Sequence, residues 1–172
     1  MRKIRFSVAM SLDGYIAGPQ GEADWIIMDP AIDFAALFSQ FDTILLGRRT
    51  FQAMAGAGRA EMPGMKTVVF SNTLRPADYS GVTIVGTEYQ EFLSVLRRGS
   101  GKDIWLFGGG TLFASLLAAG LVDTVEVALI PVLLGAGIPL LPPPAARAKL
   151  RLTNHQVYKS SGVVMLTYGT AA

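Results

Sequence analysis

Cysteine is absent from the 172 residues and histidine occurs once, at His155. The first absence excludes disulfides, thiolate metal sites and cysteine nucleophiles. It fits a reducing compartment, and the expected location is cytoplasmic. The second leaves no His/Asp/Glu grouping with metal-ligand spacing and no Ser–His–Asp arrangement, so no metal is expected. His155 lies far along the chain from the glycine-rich motifs and reads as structural. Charge is also scarce, at 16% of residues with a net charge of +2. The Lys and Arg residues are scattered in ones and twos rather than gathered in a stripe, so nucleic acid is not an expected partner. The opening MRKIRFSVAMSLDG lacks the apolar core of a signal peptide. Two uncharged runs, 104–122 and 127–146, approach the roughly 20 apolar residues that cross a bilayer. Gly108–Gly110 interrupt the first, and Pro131, Pro139 and Pro142–Pro144 interrupt the second. The first run reads instead as strand, glycine turn and helix, so no membrane partner is expected.

What is present is an apolar alternation of strands and helices, enough for one domain over 1–172. Strands are expected over Lys3–Ala9, Thr43–Leu46, Thr67–Phe70, Val82–Val85, Ile104–Phe107 and Val125–Ile130. Asp29 and Pro30 form an N-cap and N1 pair for a helix striped by Phe34, Leu37, Phe38 and Phe41. A second helix opens at GRRTFQAM. Thr87 and Gln90 form a capping box for a third, which Arg97-Arg98-Gly99 ends. Thr111 is the expected N-cap of a fourth, with Gly120 beyond its end. Gly135–Pro144 reads as an irregular loop, and Leu150–Tyr158 with Val163–Tyr168 as a closing hairpin. The pattern predicts an α/β fold in three layers, α/β/α. Its central sheet is mostly parallel, with antiparallel C-terminal strands.

In such sheets ligands bind beyond the carboxyl ends of the strands. Three loops leave those ends with groups suited to anions: Gly47-Arg48-Arg49-Thr50, Ser71-Asn72-Thr73 and Gly108-Gly109-Gly110-Thr111. Glycines allow close approach, helix N-termini offer free N–H groups, and arginine offers forked donors. Each loop alone also fits an ordinary turn. Three together describe a groove long enough for a dinucleotide.

SLDGYIAG at 11–18, LLGRRTF at 45–51, VFSNTL at 69–74 and LFGGGTLFASLL at 106–117 resemble the dihydrofolate reductase superfamily. The closer resemblance is to the branch holding the reductase domain of bacterial riboflavin-biosynthesis deaminase–reductases, and LVDTVEVALIPVLLGAGIPLL continues it. The resemblance covers nearly the whole chain. It implies an NADPH-dependent reductase acting on 5-amino-6-(5-phosphoribosylamino)uracil or a related heterocycle, with dihydrofolate as the rival substrate. A ligand-binding module without catalysis is the alternative of another class. The resemblance assigns Gly47, Arg48, Arg49 and Thr50 to the cofactor phosphates. It assigns Ser71, Asn72 and Thr73 to the 2′-phosphate, and Gly108–Gly110 with Thr111 and Leu112 to the pyrophosphate and nicotinamide. It also implies a cis peptide at Gly108–Gly109 or Gly109–Gly110. The chain departs from the riboflavin branch in carrying RRTF where an acidic segment is usual, and no further phosphate site is evident near the substrate end.

Three carboxylates are candidates for holding substrate or handling a proton. Folate-reducing relatives place an acid in the first turn of the first helix, a position that Asp29 or Asp33 could fill. Asp13 lies in the SLDG loop. Each has a plain structural alternative: a helix cap, a solvated helix face and an Asx-turn respectively. Trp25, Tyr15 and Phe51 either wall a substrate pocket or fill the core. The apolar composition and the Leu133–Leu141 loop suggest a homodimer.

Overall fold

The computed structural model describes residues 1–170. Ten strands and four α-helices follow one another as β1 (Ile4–Ser11), β2 (Tyr15–Ala17), α1 (Phe34–Phe38), β3 (Phe41–Gly47), α2 (Arg48–Gly56), β4 (Lys66–Phe70), β5 (Val82–Val85), α3 (Tyr89–Arg98), β6 (Asp103–Gly108), α4 (Gly110–Ala118), β7 (Thr124–Ile130), β8 (Ile138–Pro139), β9 (Leu150–Tyr158) and β10 (Val163–Thr170). Eight strands form one sheet in the order β5-β4-β3-β6-β1-β7-β10-β9, and β2 pairs with β8 in a separate ribbon. From β5 to β7 all pairings are parallel. β10 runs antiparallel to β7 and β9, so the expected antiparallel hairpin supplies the edge.

Both faces of the sheet carry apolar packing, because the parallel strands are apolar on both sides. On one face Ile4, Phe6, Leu45 and Leu106 meet Leu93 of α3 and Phe113 and Leu116 of α4. Phe6 stacks on Phe113 with ring centres 3.8 Å apart. On the other face Phe41, Ile44, Leu46, Val69 and Trp105 meet Phe51 of α2 and Phe38 of α1. α4 ends as the sequence predicts. Gly120 takes φ +67°, and the N–H groups of Gly120 and Leu121 return to the carbonyls of Leu117 and Leu116, a Schellman closure.

Five local expectations change. α1 begins at Phe34, not after Asp29. Asp33 caps it, accepting from the Ala36 N–H at 2.8 Å. Phe41 leaves the helical stripe and opens β3. The Thr87–Gln90 box does not form: Glu88 occupies the N-cap of α3 and makes no side-chain cap bond. Gly109, not Thr111, is the N-cap of α4. The 135–144 loop contributes Ile138–Pro139 to the β2–β8 ribbon, pairs too short to show in the sequence.

Candidate active site

The sheet order places the carboxyl ends of β5, β4, β3 and β6 side by side. A groove of about 560 Å³ crosses them, lined by Arg48, Phe70, Ser71, Asn72, Thr73, Gly86, Thr87, Tyr89, Thr111, Leu112, Ser115 and Leu116. Arg48, the Ser71–Thr73 turn and Thr111 with Leu112 therefore meet in one depression, whereas Gly47, Thr50 and Gly108–Gly110 are not part of its lining.

The geometry of each loop follows from its neighbours. Ser71 Oγ accepts from the N–H groups of Thr73 and Leu74 at 3.2 and 3.1 Å, which folds SNT into a tight turn. Arg48, the first residue of α2, donates from Nη1 to Thr73 Oγ1 at 2.8 Å. That bond bridges the ends of β3 and β4 and aims the guanidinium along the groove. α2 and α4 start at Gly47 and Gly109 caps that supply no side-chain bond. Their first-turn N–H groups thus have no intrahelical or side-chain partner, and the helix dipoles point at the groove. The two starts abut. A Cβ on Gly47 would lie 3.7 Å from Gly108 O, and one on Gly109 would lie 3.2 Å from Thr50 Oγ1. Gly108–Gly109 is a cis peptide, at one of the two positions expected. Gly110 has a different role: a Cβ there would meet Pro139 O and Pro142 Cδ at 2.8 Å. It admits the 139–142 segment against α4 and is itself buried. Arg49 is exposed and lies outside the groove lining.

Gly86, Thr87 and Tyr89 also line the groove, although the sequence marks Thr87 only as a helix cap and gives Gly86 and Tyr89 no place in a site. They leave β5, the outermost strand of this half. Tyr89 packs edge-on to Phe70 with ring centres 6.3 Å apart, so the groove ends in two aromatic rings flanked by hydroxyls.

The candidate acids are placed differently. Asp13 accepts from Ser11 Oγ at 2.6 Å and from the N–H groups of Leu134 and Gly135 at 3.1 and 2.7 Å. The Ser11 hydroxyl first, then those amides, hold its pKa below the ordinary carboxylate value. Asp29 is 1% exposed and accepts from the Ala31 N–H and from Ser160 Oγ, both at 2.8 Å. Its pKa is lowered too, by the Ser161 hydroxyl, the Ala31 N–H and the Ser160 hydroxyl. Ser161 Oγ itself is directed at Tyr158 O, so the main tie is to Ser160. Asp33 is exposed and engages one oxygen in capping α1. Of the three, Asp33 alone keeps a carboxylate oxygen without a partner among the described residues.

Phe51 is wholly buried and packs against Tyr79 with ring centres 5.0 Å apart; it fills the core and has no surface for a ligand. Trp25 is half-buried, with Nε1 donating to Glu22 O at 3.2 Å. Tyr15 lies in the β2–β8 ribbon opposite Pro139. His155 is exposed on edge strand β9. Among the described residues no group of acids and histidine could hold a metal, and no helix is long and apolar enough to cross a membrane.

Residues 2–164 match the RibD C-terminal domain family. Two proteins of Bacillus subtilis (strain 168), both uncharacterised, are similar in sequence. YyaP is 36% identical over 97% of this chain and 94% of its own, and YwjB is 30% identical over 88% and 89%. Among solved structures, a Shewanella sp. PV-4 protein proposed to act in riboflavin biosynthesis is 28% identical, with a TM-score of 0.81 and full coverage of both chains. The Enterococcus faecalis dihydrofolate reductase complexed with NADP(H) shares the fold at 21% identity, with a TM-score of 0.71 over 99% of this chain and 97% of that one. The Thermotoga maritima diaminohydroxyphosphoribosylaminopyrimidine deaminase/5-amino-6-(5-phosphoribosylamino)uracil reductase does so at 15% identity, with a TM-score of 0.73 over 99% of this chain and 57% of that one.

Proposed function

The chain belongs to the RibD C-terminal domain family, and from that premise we propose that it is an NADPH-dependent reductase delivering hydride to a C=N or C=O carbon of a heterocycle. The observation that carries this reading is the meeting of Arg48, the Ser71–Thr73 turn and the first turn of α4 in one groove at the carboxyl ends of the parallel strands.

The residues present fit the cofactor. Two uncapped helix starts offer N–H groups to a pyrophosphate. Arg48 and the Ser71–Thr73 turn offer a cation and hydroxyls to a 2′-phosphate. Phe70 and Tyr89 offer ring surface to the adenine. The groove volume falls within the range of cofactor sites. When bound, NADPH supplies the hydride, and the nitrogen or oxygen of the reduced bond takes up a proton. The chain's part is to orient and enclose the reactants. Asp13 and Asp29 are committed acceptors with lowered pKa values, so both are ionised near neutrality and hold no proton to give. They fix the walls of the site. Asp33, with its free oxygen, is the acid left to meet a substrate ring.

Two substrates can present the required double bond: 5-amino-6-(5-phosphoribosylamino)uracil, named for the Thermotoga protein, through the open-chain imine of its ribosylamino group, and dihydrofolate, named for the Enterococcus enzyme, through its ring C=N. The deciding experiment is a fluorescence and thermal-shift titration with NADPH, NADP⁺ and NADH, with Arg48→Ala as control. NADPH-selective binding that weakens in the variant supports the reductase. Binding of none of the three overturns it and favours a module for another ligand. We also propose a homodimer, because edge strand β9 exposes Leu150, Leu152 and Val157; a monomeric mass in solution would refute it.

A further inference from the structure

The cofactor groove ends at β6, and the next strands in the sheet are β1 and β7. A substrate beside Gly108 therefore meets the segments that leave β1 and β7. These are sewn together. The Leu12 N–H donates to Val132 O at 2.8 Å, the Leu140 N–H donates to Gly14 O at 3.0 Å, and Asp13 takes the amides of Leu134 and Gly135.

From this wall, and resting on the reductase reading above, we infer that the substrate carries no phosphate: it is an unphosphorylated compound whose heterocyclic ring is uncharged or cationic. Residues 6–40 contain no Lys or Arg and five acids, Asp13, Glu22, Asp24, Asp29 and Asp33. Residues 127–146 contain no charged side chain of either sign. Phosphate is held by cations or by converging free N–H groups. The amides that could have formed such a nest, Leu134 and Gly135, are filled by the protein's own carboxylate. The start of α1 is taken by Asp33. Besides those acids the wall exposes apolar side chains: Leu12, Ile27, Met28 and Leu133 all stand out from the surface.

Most of the chain's paired or clustered cations lie elsewhere. Arg2, Arg5 and Arg97 are paired at the opposite ends of the strands. Arg48 belongs to the cofactor groove. Arg147, Lys149 and Arg151 flank the start of β9, where Leu150 faces Thr170 beside the amino end of β7. Arg49 is exposed in the first turn of α2, outside both the groove lining and the two wall segments, and Lys159 lies nearer the wall. It sits exposed in the turn between β9 and β10, next to the Ser160 that binds Asp29. A phosphate dianion here would meet one mobile-chain ammonium beside the Asp29 carboxylate, against wall segments that carry acids and no cation. A neutral or cationic ring meets apolar surface and acceptors.

The test compares 5-amino-6-(5-phosphoribosylamino)uracil with its dephosphorylated ribosyl counterpart, following NADPH oxidation. In parallel, ribose 5-phosphate and ribose are compared by thermal shift, with and without NADPH, on the wild type and Lys159→Ala. We expect the phosphate to give no gain in kcat/KM, and ribose 5-phosphate to shift Tm no more than ribose does. A preference for the phosphorylated substrate of about tenfold or more, the least that one charge-assisted contact confers, would overturn the inference. So would a phosphate-specific rise in Tm that Lys159→Ala removes. The sugar arm decides even where neither uracil is reduced. Failure of NADPH to bind counts against the reductase reading alone, since the sugar arm also runs without it.

Discussion

The two ends of the sheet treat polar groups in opposite ways. At the amino-terminal ends of the strands, charges find each other. Arg5 donates to Glu126 at 2.6 and 3.0 Å and lies over the Phe41 ring. Arg97 pairs with Asp123, whose carboxylate also takes the Ile4 N–H at 2.7 Å. Arg2 bonds Asp42 and Thr43. At the carboxyl ends two helices begin without side-chain caps, and Arg48 is held by a neutral hydroxyl. Satisfied groups rigidify, whereas donors left open hold affinity in reserve for a ligand. One pole therefore secures the fold and the other stays ready to bind.

Substitutions can break that division if it is wrong. The largest effect should come from Glu126→Ala, which strips Arg5 of its principal partner in a nearly closed setting. A loss of about 3 kcal/mol in urea unfolding is expected, with NADPH affinity unchanged at temperatures where the variant is folded. Next comes Arg48→Ala. NADPH binding should weaken by roughly 10- to 100-fold, as for loss of a charged hydrogen bond, while unliganded stability moves by no more than about 0.5 kcal/mol. A large stability loss here would mean that Arg48 belongs to the scaffold. Thr87→Val should weaken NADPH by about fivefold, one neutral hydrogen bond, and leave folding intact because Thr87 caps nothing.

The mildest test is of pH. Asp13, Asp29 and Asp42 have lowered pKa values. For Asp42 burial acts against ionisation, but the Lys102 N–H, the Thr43 hydroxyl and Arg2 outweigh it. A carboxylate whose folded pKa lies below its unfolded value stabilises fully above the unfolded pKa, and that contribution is lost as pH falls through the folded one. Tm should therefore be level above about pH 5 and fall on further acidification. Asp29→Asn should flatten that acid limb. An unchanged limb would mean that the Asp29–Ser160 tie does not distinguish folded from unfolded chain.

The strands of the parallel half could be read from sequence because each is a short apolar run closed by a glycine or a hydroxyl turn. Of those closures Ser71 lines the groove, and Gly47 and Gly108 lead directly into the helices whose first turns, at Arg48 and Thr111, line it. What escaped the sequence involved competition between neighbours or partners far away. Asp29-Pro30 has the form of a helix start, yet Asp33 wins the cap while Asp29 turns to a serine 131 residues on. Thr87 and Gln90 have capping-box spacing, and nothing local says that the threonine faces a groove instead. Gly110 looks like a third phosphate glycine. Only the approach of Pro139 and Pro142 shows that it is a packing glycine.

The sheet order has a consequence for how the polypeptide is made. Of the ten strands β1 is made before the others, and it lies between β6 and β7, so its pairing begins with Ile4 opposite Ile104 and Arg5 opposite Thr124. Until those later strands emerge, Ile4, Phe6 and Val8 have no native neighbours along either edge. Nascent chains halted before residue 103 should then keep this segment open to chaperones and proteases, whatever β3, β4 and β5 have already formed.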